Sequence, residues 1–498
     1  MKRKKLLALL LTLVLALGLL PMSAFAAQRA VTTASTASIT INNAVENDVL
    51  AAYKVVDITY NDANNTLSYA WNSAFADYFA GITSYNATAY TVEAFAALTD
   101  DSNDLKALLA QLPNYIAAKS ISPVATQTVA ANGTATFSGL AMGEYFIRPT
   151  STTSVYQLML QKVEPTVADG TYVIDDATFT AKKEEVTVVK TADKTSVTKN
   201  EKVTYTITVE IPTYAAQAVD KSFYVSDLLP DGLTIDTSSI KVQINATDVD
   251  TAAYTLDKTA TDVYTFKLSV DTTQYAERWA ANGGNQLVIT YTATLNDNDT
   301  TQVNVKETNT VTFDYSNYPY VGNSHVQKTD TVDVTTFAIK IDKFVKDNES
   351  SKLAGAKFDL YRTATQEEID ARKSVVIPHT AIQGVMLEAN KVTDANGAAT
   401  FGKYEANGTN YDYYLVETLA PSGYNILDSA VKVNFTDDDV EATAGVYTVK
   451  VPNSSGIQLP ITGGTGTVIF TVIGIALMGG AVVLFVLSKR KSKAKESK

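Results

Sequence analysis

The chain has 498 residues, with no cysteine, two histidines and a net charge of −12. Without cysteine there are no disulfides, thiolate metal sites or cysteine nucleophiles. Because His325 and His379 are the only two histidines, a histidine-rich metal site or a histidine-dependent triad is not expected. The acidic balance disfavours nucleic acid as a partner, and we expect no metal or other cofactor.

The N-terminus has the pattern of a secretory signal peptide. A basic start at Met1–Lys5 precedes an apolar run from Leu6 to Leu20, and Ala24-Phe25-Ala26 offers a small-x-small cleavage site. We therefore predict a signal peptide over residues 1–26 and export of the rest of the chain.

Short alternating runs rich in Thr, Val and Tyr predict an all-β protein with three domains, over residues 27–182, 183–333 and 334–455. In the first domain, leucines at helical spacing predict a helix from Asp104 to Ile116, which Pro113 should bend or end.

The second and third domains show the clearest strand patterns. Val203–Val209 and Leu287–Ala293 alternate strictly between apolar and polar residues. In the third domain the run from Phe337 to Lys343 alternates as well, so Lys343 shares the inward face of Phe337. A short surface helix is expected from Thr365 to Arg372.

The C-terminus combines three features in order. Leu459-Pro460-Ile461-Thr462-Gly463 is followed by an apolar run, Val468 to Leu487, and then by the basic cluster Lys489–Lys493. About 20 apolar residues can cross a membrane, and a basic flank marks the cytoplasmic side. We therefore predict a transmembrane sorting signal over residues 456–498. The pentapeptide resembles the LPxTG signal of Gram-positive surface proteins, which implies cleavage by a sortase between Thr462 and Gly463.

Two further stretches resemble known pilin domains. Leu353–Ala356 together with Tyr414–Tyr424 resembles a Cna-B-type pilin domain and its E-box. Val186–Tyr320, which includes Val225–Leu233, is similar to the middle domain of sortase-assembled pilins. The resemblance is to the major (backbone) pilins of sortase-assembled Gram-positive pili, and it implies tandem Ig-like β-sandwich domains, three in number.

The resemblance also implies a spontaneous Lys–Asn isopeptide bond in each of these two domains. For the middle domain it implies Lys190, Asp227 and Asn309; for the third, Glu417 and Asn453, with Lys343 as the lysine and Lys340 as the alternative. Burial favours a neutral amine and a protonated carboxyl, so the acid can hydrogen-bond the Asn carbonyl and shuttle protons while the amine attacks. We expect each Lys and Asn on the first and last strands of its domain.

The first domain departs from this pattern. Gly143–Pro149 stands where an E-box would be, but Arg148 replaces the acid, so we expect no isopeptide bond there.

A further lysine is implied by the polymerisation of such pilins. Phe179–Glu184 stands at the position of the pilin motif, although it lacks the motif's Pro and Asn. Lys182 takes the position of the intersubunit lysine, and Lys183 is the alternative.

We therefore interpret the chain as a secreted, wall-anchored pilus backbone subunit whose precursor is membrane-bound. It would be a substrate of enzymes and not an enzyme. The partners implied are a pilin-type sortase, a housekeeping sortase, other copies of the chain, ancillary pilins, peptidoglycan and host surface ligands. The alternatives are a monomeric wall-anchored adhesin, in which Lys182 is inert, or an ancillary pilin. A wall-anchored hydrolase is disfavoured because no paired carboxylates or nucleophile motif stands out.

Overall fold

The structure is a computed structural model, and it describes residues 29–81, 91–98, 103–296, 304–405, 411–433, 445–455 and 465–493. The predicted signal peptide and the Leu459–Gly463 pentapeptide lie outside the described residues. The chain divides into two compact units: unit 1 is drawn from Met1–Asp193, Thr204–Ala293 and Thr308–Val332, and unit 2 from Lys194–Val203, Thr294–Glu307 and Asp333–Lys498. The three domain boundaries named above stay a prediction.

The N-terminal part of unit 1 packs strands and helices around one apolar core. Its larger sheet has the order β4-β3-β7-β9 with β5 also paired to β3, and a second sheet has the order β12-β2-β6. The strands are β1 (Arg29–Ala30), β2 (Thr36–Asn42), β3 (Val49–Asn61), β4 (Thr66–Trp71), β5 (Ala125–Thr128), β6 (Ala135–Ala141), β7 (Gly143–Ser151), β8 (Val155–Tyr156), β9 (Met159–Val163), β10 (Thr166–Ala168), β11 (Thr171–Ile174), β12 (Ala177–Thr180) and β13 (Lys183–Glu184).

Among its described residues this part contains three helices: α1 (Ala76–Gly81), α2 (Val92–Ala96) and α3 (Asn103–Lys119). We expected Pro113 either to bend α3 or to end it, and the second expectation is wrong, because the helix continues through Pro113 to Lys119. Proline removes one helical hydrogen bond. Here Leu112 and Ile116, on either side of Pro113, are both buried in the core, and their packing favours a continued helix.

The middle region forms two five-stranded sheets, with orders β14-β15-β21-β17-β18 and β19-β20-β16-β22-β23. Alternation along β15 buries Val203, Tyr205, Ile207 and Val209. The strands are β14 (Val188–Ala192), β15 (Lys202–Glu210), β16 (Phe223–Leu228), β17 (Leu233–Ile244), β18 (Thr247–Asp248), β19 (Thr255–Asp257), β20 (Phe266–Val270), β21 (Gln286–Leu295), β22 (Lys306–Ser316) and β23 (His325–Thr335), and a short α4 (Thr272–Gln274) leads into a π-helical turn, Tyr275–Trp279.

Unit 2 contains the third β region. In one sheet β24 pairs with β25, β29 and β32, and the other sheet has the order β27-β28-β26-β30-β31. The strands are β24 (Phe337–Val345), β25 (Asn348–Lys352), β26 (Lys357–Thr363), β27 (Val375–Val376), β28 (Gln383–Val392), β29 (Ala398–Tyr404), β30 (Tyr413–Leu419), β31 (Val431–Val433) and β32 (Val446–Asn453).

The described residues of unit 2 also include two helices. The predicted surface helix is present as α5 (Gln366–Asp370), which Thr365 caps by accepting a hydrogen bond from the Glu368 amide. Near the C-terminus lies α6 (Thr465–Lys493). Among the described residues, no helix meets the combined length and apolarity that a membrane span requires. The all-β, tandem-sandwich prediction is confirmed, whereas the membrane span stays a prediction.

Candidate intramolecular crosslink sites

The first candidate site lies between the two sheets of the middle region. Lys190 is on β14 of one sheet, whereas Asp227 and Asn309 are on the neighbouring strands β16 and β22 of the other. All three side chains are buried, with 4 % of Lys190 and none of Asp227 or Asn309 exposed. The structure therefore brings the three predicted residues together in the interior of the sandwich.

Hydrogen bonds link these residues through a fourth one. The Lys190 ammonium donates to the Asp227 carboxylate and, at 3.0 Å, to the Tyr291 hydroxyl. The Tyr291 hydroxyl donates to Asp227 Oδ1 at 2.8 Å and accepts from Asn309 Nδ2 at 2.7 Å. Within the described part of the chain, Asn309 Oδ1 has no hydrogen-bond partner. Our expectation that the acid bonds the Asn carbonyl is therefore wrong here, because the tyrosine stands between acid and amide.

Burial shifts both titrating groups of this site towards their neutral forms. Desolvation lowers the pKa of Lys190, although the charge of Asp227 opposes the shift. Desolvation likewise raises the pKa of Asp227, against the charge of Lys190. A neutral amine beside a protonated carboxyl is the state that nucleophilic attack on an amide needs.

Strand order corrects one further expectation. Lys190 lies on the first strand of the middle region, but Asn309 lies on β22, and β23 follows it. Asn309 is therefore not on the last strand, because β23 extends the same sheet by pairing beside β22.

The second candidate site lies in unit 2. Lys343 is on β24 and Asn453 on β32, which pair in parallel, and Glu417 is on β30 of the opposite sheet. Gly397 positions the lysine, because its carbonyl accepts from the Lys343 amide at 2.8 Å. A side chain is excluded at position 397 for two reasons: its φ is +71°, and a Cβ would clash with the Lys343 carbonyl oxygen. Lys343 is fully buried, whereas the alternative, Lys340, is exposed.

In this site the acid contacts both partners directly. The Lys343 amine donates to Asn453 Oδ1 and lies 3.1 Å from Glu417 Oε1. Asn453 Nδ2 donates to Glu417 Oε1 at 3.0 Å and to Oε2 at 3.2 Å. The acid thus bonds the amide nitrogen of Asn453 and not its carbonyl, contrary to our expectation. Desolvation lowers the pKa of Lys343, against the opposing charge of Glu417.

The two candidate intersubunit lysines differ in exposure. Lys182 is exposed and borders two adjoining clefts, one beside Leu105 and Leu109 and one beside Asn43 and Tyr156. Lys183 begins β13, which pairs with β8, and its ammonium donates to Glu185. Only 11 % of the Lys183 side chain is exposed, so Lys182 is the more accessible of the two amines.

Two protein families match the chain in unit 2. The prealbumin-like fold domain family covers residues 338–448, and the LPXTG cell wall anchor motif covers residues 451–493. The fimbrial subunit type 1 of Actinomyces viscosus is 30 % identical over 166 residues, which are 30 % of each chain. The trypsin-resistant surface T6 protein of Streptococcus pyogenes serotype M6 is 23 % identical over 359 residues, covering 58 % of this chain and 64 % of the relative.

A solved structure extends the comparison to the fold. The T6 backbone pilin of S. pyogenes, described as a modular three-domain structure, superposes with a TM-score of 0.56 at 20 % identity, covering 82 % of this chain and 81 % of the pilin. The chain contains a prealbumin-like fold domain and an LPXTG cell wall anchor motif, and its fold is similar to that of a backbone pilin. The chain spans less than two thirds of the length of either curated relative that it matches.

The N-terminal part of the chain contains a looser version of the same residue set. Lys54 Nζ lies 2.7 Å from Asp57 Oδ1, and Asn72 Nδ2 donates to Asp57 Oδ2 at 3.1 Å. However, 38 % of the Asp57 side chain and 16 % of Lys54 are exposed, so water can solvate both charges. This set therefore lacks the complete burial of the two other sites.

Arg148, which stands in place of an E-box acid, has a different setting. Its guanidinium lies 6.0 Å from the Tyr53 ring and 5.4 Å from the Tyr318 ring. These distances are typical of cation–π contacts. Arg148 therefore serves packing between aromatic rings in unit 1, and the absence of an isopeptide bond in this region stays a prediction.

Tyr291 was not predicted as a site residue. Its only signal is the alternation of Leu287–Ala293, which turns Leu287, Ile289, Tyr291 and Ala293 to the buried face. A tyrosine on such a face is ordinarily a core residue, and only the tertiary structure reveals its hydrogen bonds.

Proposed function

We propose that this protein is a pilin and forms the backbone subunit of a covalently polymerised pilus. A pilin-type sortase joins Thr462 of one copy to Lys182 of the next, and a housekeeping sortase links the finished polymer to peptidoglycan. Lys–Asn isopeptide bonds inside the subunit join Lys190 to Asn309 and Lys343 to Asn453. Ancillary pilins and host surface ligands are further partners of the polymer.

The observation that carries this proposal is the repetition of one buried residue set. Lysine, carboxylic acid and asparagine converge in the middle region and again in unit 2, with all six residues at most 4 % exposed. An unpaired buried charge is costly, and hydrophobic residues of similar volume are often no less stable than a buried ion pair. Two such sets in one cysteine-free chain are therefore better explained by chemistry than by stabilisation through charge pairing.

The reaction balances without any co-reactant. The neutral lysine amine attacks the asparagine Cγ, a new C–N bond forms, the Cγ–Nδ2 bond breaks, and ammonia leaves with one proton from the lysine. The neighbouring acid gives a proton to the departing nitrogen and recovers one from the attacking nitrogen. Its carboxyl ends unchanged, so each chain performs the step once.

Accessibility supports Lys182 as the acceptor in polymerisation. A sortase delivers an acyl group to an amine from outside the fold, which requires an exposed lysine at the edge of a cleft. Lys182 is exposed and borders two clefts, whereas only 11 % of the Lys183 side chain is exposed. The proposed chain of covalent bonds then runs from Lys182 to Thr462 within every subunit.

Wall extracts separated on a denaturing gel test the proposal. The wild-type pilin should give a ladder of high-mass bands, and Lys182→Ala should reduce it to monomer that is still exported and wall-linked. Lys183→Ala is the matched control and should keep the ladder. A single wild-type band would indicate a monomeric wall-anchored adhesin, and loss of the ladder in Lys183→Ala alone would move the acceptor to Lys183.

A further inference from the structure

The Tyr291 hydroxyl is the centre of the middle crosslink site. It lies 3.0 Å from Lys190 Nζ, 2.8 Å from Asp227 Oδ1 and 2.7 Å from Asn309 Nδ2. Its ring is held between Tyr205, at a centroid distance of 5.4 Å, and Phe266, at 5.2 Å. Packing of the ring therefore holds the hydroxyl within hydrogen-bond distance of both reacting groups and of the acid.

The site in unit 2 has no counterpart of this hydroxyl among its described hydrogen bonds. There Glu417 contacts the Asn453 amide itself, at 3.0 and 3.2 Å, whereas Asp227 reaches Asn309 only through Tyr291. Glutamate is one methylene longer than aspartate. Glu417 therefore reaches the asparagine amide directly, whereas Asp227 is linked to it by the Tyr291 hydroxyl. The oxygen and nitrogen of an asparagine side-chain amide can be assigned in two orientations. The Tyr291 hydroxyl contacts the Asn309 amide in both of them.

We propose that Tyr291 is a catalytic residue of the middle site, which carries a proton from the Asp227 carboxyl to the Asn309 amide during isopeptide formation. This inference rests on the proposed function, because it concerns the mechanism of one of the two proposed bonds.

The proton balance of the step is closed. Lys190 Nζ attacks Asn309 Cγ, and the Tyr291 hydroxyl gives its proton to Nδ2 while it takes the proton of Asp227. The Cγ–Nδ2 bond breaks and ammonia leaves. The Asp227 carboxylate, which the Lys190 nitrogen contacts, then takes the surplus proton from that nitrogen. Tyrosine and aspartic acid both return to their starting forms.

The surroundings of Tyr291 favour a proton relay in which the tyrosine stays neutral throughout. Desolvation, followed by the nearby charge of Asp227, raises the pKa of Tyr291 well above its usual value. The hydroxyl therefore stays neutral, and it can give up one proton only as it gains another. Asn309 Oδ1 has no hydrogen-bond partner among the described residues. Tyr291 is therefore the one described residue that is hydrogen-bonded to the Asn309 side-chain amide.

The test is the rate of ammonia loss in the purified ectodomain after pulsed cell-free synthesis, followed by intact mass. The wild-type ectodomain should lose two ammonia molecules. The Tyr291→Phe variant should lose the ammonia of the middle site at least about 100-fold more slowly, because about 100-fold is the lower end of typical contributions from general acid–base catalysis. Tyr275→Phe is the control, because it removes another buried hydroxyl in the same region, one that donates to the Pro212 carbonyl at 2.7 Å. It should keep both losses at the wild-type rate.

Each outcome bears on a different claim. A wild type without any mass loss overturns the proposed function itself, whereas two losses in Tyr291→Phe at the wild-type rate overturn only the relay. Placing 3-fluorotyrosine at position 291 covers the case in which the phenylalanine variant misfolds, because it keeps the shape and makes the hydroxyl more acidic. Its rate of ammonia loss should differ from wild type, and an identical rate would exclude proton transfer through this hydroxyl.

Discussion

Lys343 and Asn453 lie on adjacent parallel strands, two residues apart in register, and the lysine amine donates to the asparagine side-chain oxygen. Lys343 pairs with Val451, and Asn453 pairs with Val345, so the two side chains are diagonal neighbours on one face. A bond between them would tie the first strand of this β region to its last. Force that enters at β24 and leaves at β32 would then bypass the rest of the fold.

The first prediction concerns mass. The mature wild-type ectodomain should weigh two ammonia molecules less than its sequence, because each buried site loses one. Glu417→Gln and Asp227→Asn should each restore one, since neither amide can act as the acid. Glu405→Gln changes another buried carboxyl of unit 2 and should leave both losses in place. Intact-mass spectrometry reads each case, and restoration of ammonia by Glu405→Gln would contradict the assignment of Glu417.

The second prediction concerns stability. Lys343→Met should lower the free energy of unfolding of unit 2 on the order of 5 kcal/mol, because a crosslink closing a loop of about a hundred residues restricts the unfolded chain by that amount. Lys340→Met is the matched control, since Lys340 is exposed on the same strand. Denaturant unfolding measures both variants. Equal stabilities of the two would argue against a bond at Lys343.

The third prediction concerns anchoring. Thr462→Ala should block both polymerisation and wall attachment, because the Thr462 carbonyl is the acyl group that the sortase passes on. The precursor should accumulate in the membrane fraction. Cell fractionation with an antibody to the ectodomain measures the distribution, and normal amounts of the variant in the wall would require another attachment route.

The fourth prediction concerns proteolysis. The region before Lys182 lies outside the proposed Lys182–Thr462 covalent path, and its Lys54–Asp57–Asn72 set is partly solvated. Limited trypsin digestion should therefore begin before Lys182 and leave a fragment from about Lys183 to Thr462. Electrophoresis with mass analysis identifies the fragments. First cleavage inside the middle region or unit 2 would contradict both crosslinks.

The fifth prediction concerns pH. Burial disfavours the His325 cation, but the hydrogen bond to Asp314 and the charges of Asp220 and Asp314 outweigh it and raise the pKa of His325. His325 Nδ1 lies 2.5 Å from Asp314 and Nε2 lies 3.2 Å from Asp220. Since the folded pKa exceeds the unfolded one, the stabilisation is complete below about pH 6.5 and is lost as the pH rises through the folded value.

His325→Gln should remove this part of the pH dependence of unfolding, whereas His379→Gln should keep it, because His379 is exposed. Thermal unfolding between about pH 5 and pH 9 compares the two variants. A wild-type stability that rises through this range in step with the histidine would reverse the sign and refute the assignment.

Much of the architecture could be predicted because the relevant patterns are local. Alternation along Val203–Val209 identifies a half-buried strand without any knowledge of its neighbours. The same period places Lys343 on the face of Ile339 and Ile341, and all three are buried. The helix from Thr365 was also predictable, since its cap and its first turn are adjacent in sequence.

Predictions failed where distant residues decide. Pro113 does not end α3, because the packing of Leu112 and Ile116 outweighs the lost hydrogen bond. Asn309 is not on the last strand, because β23 adds to the same sheet.

The sequence by itself determined which residue types are present and which face of strands such as β15 and β24 is buried. Only the tertiary structure decided that Lys190 and Asp227 meet across two sheets, that Tyr291 stands between Asp227 and Asn309, and that Lys182 is more accessible than Lys183. The physical reason is the range of the interactions. A period of two follows from the geometry of one strand, whereas the meeting of side chains from different strands depends on register and sheet packing, which are set by contacts far apart in the chain.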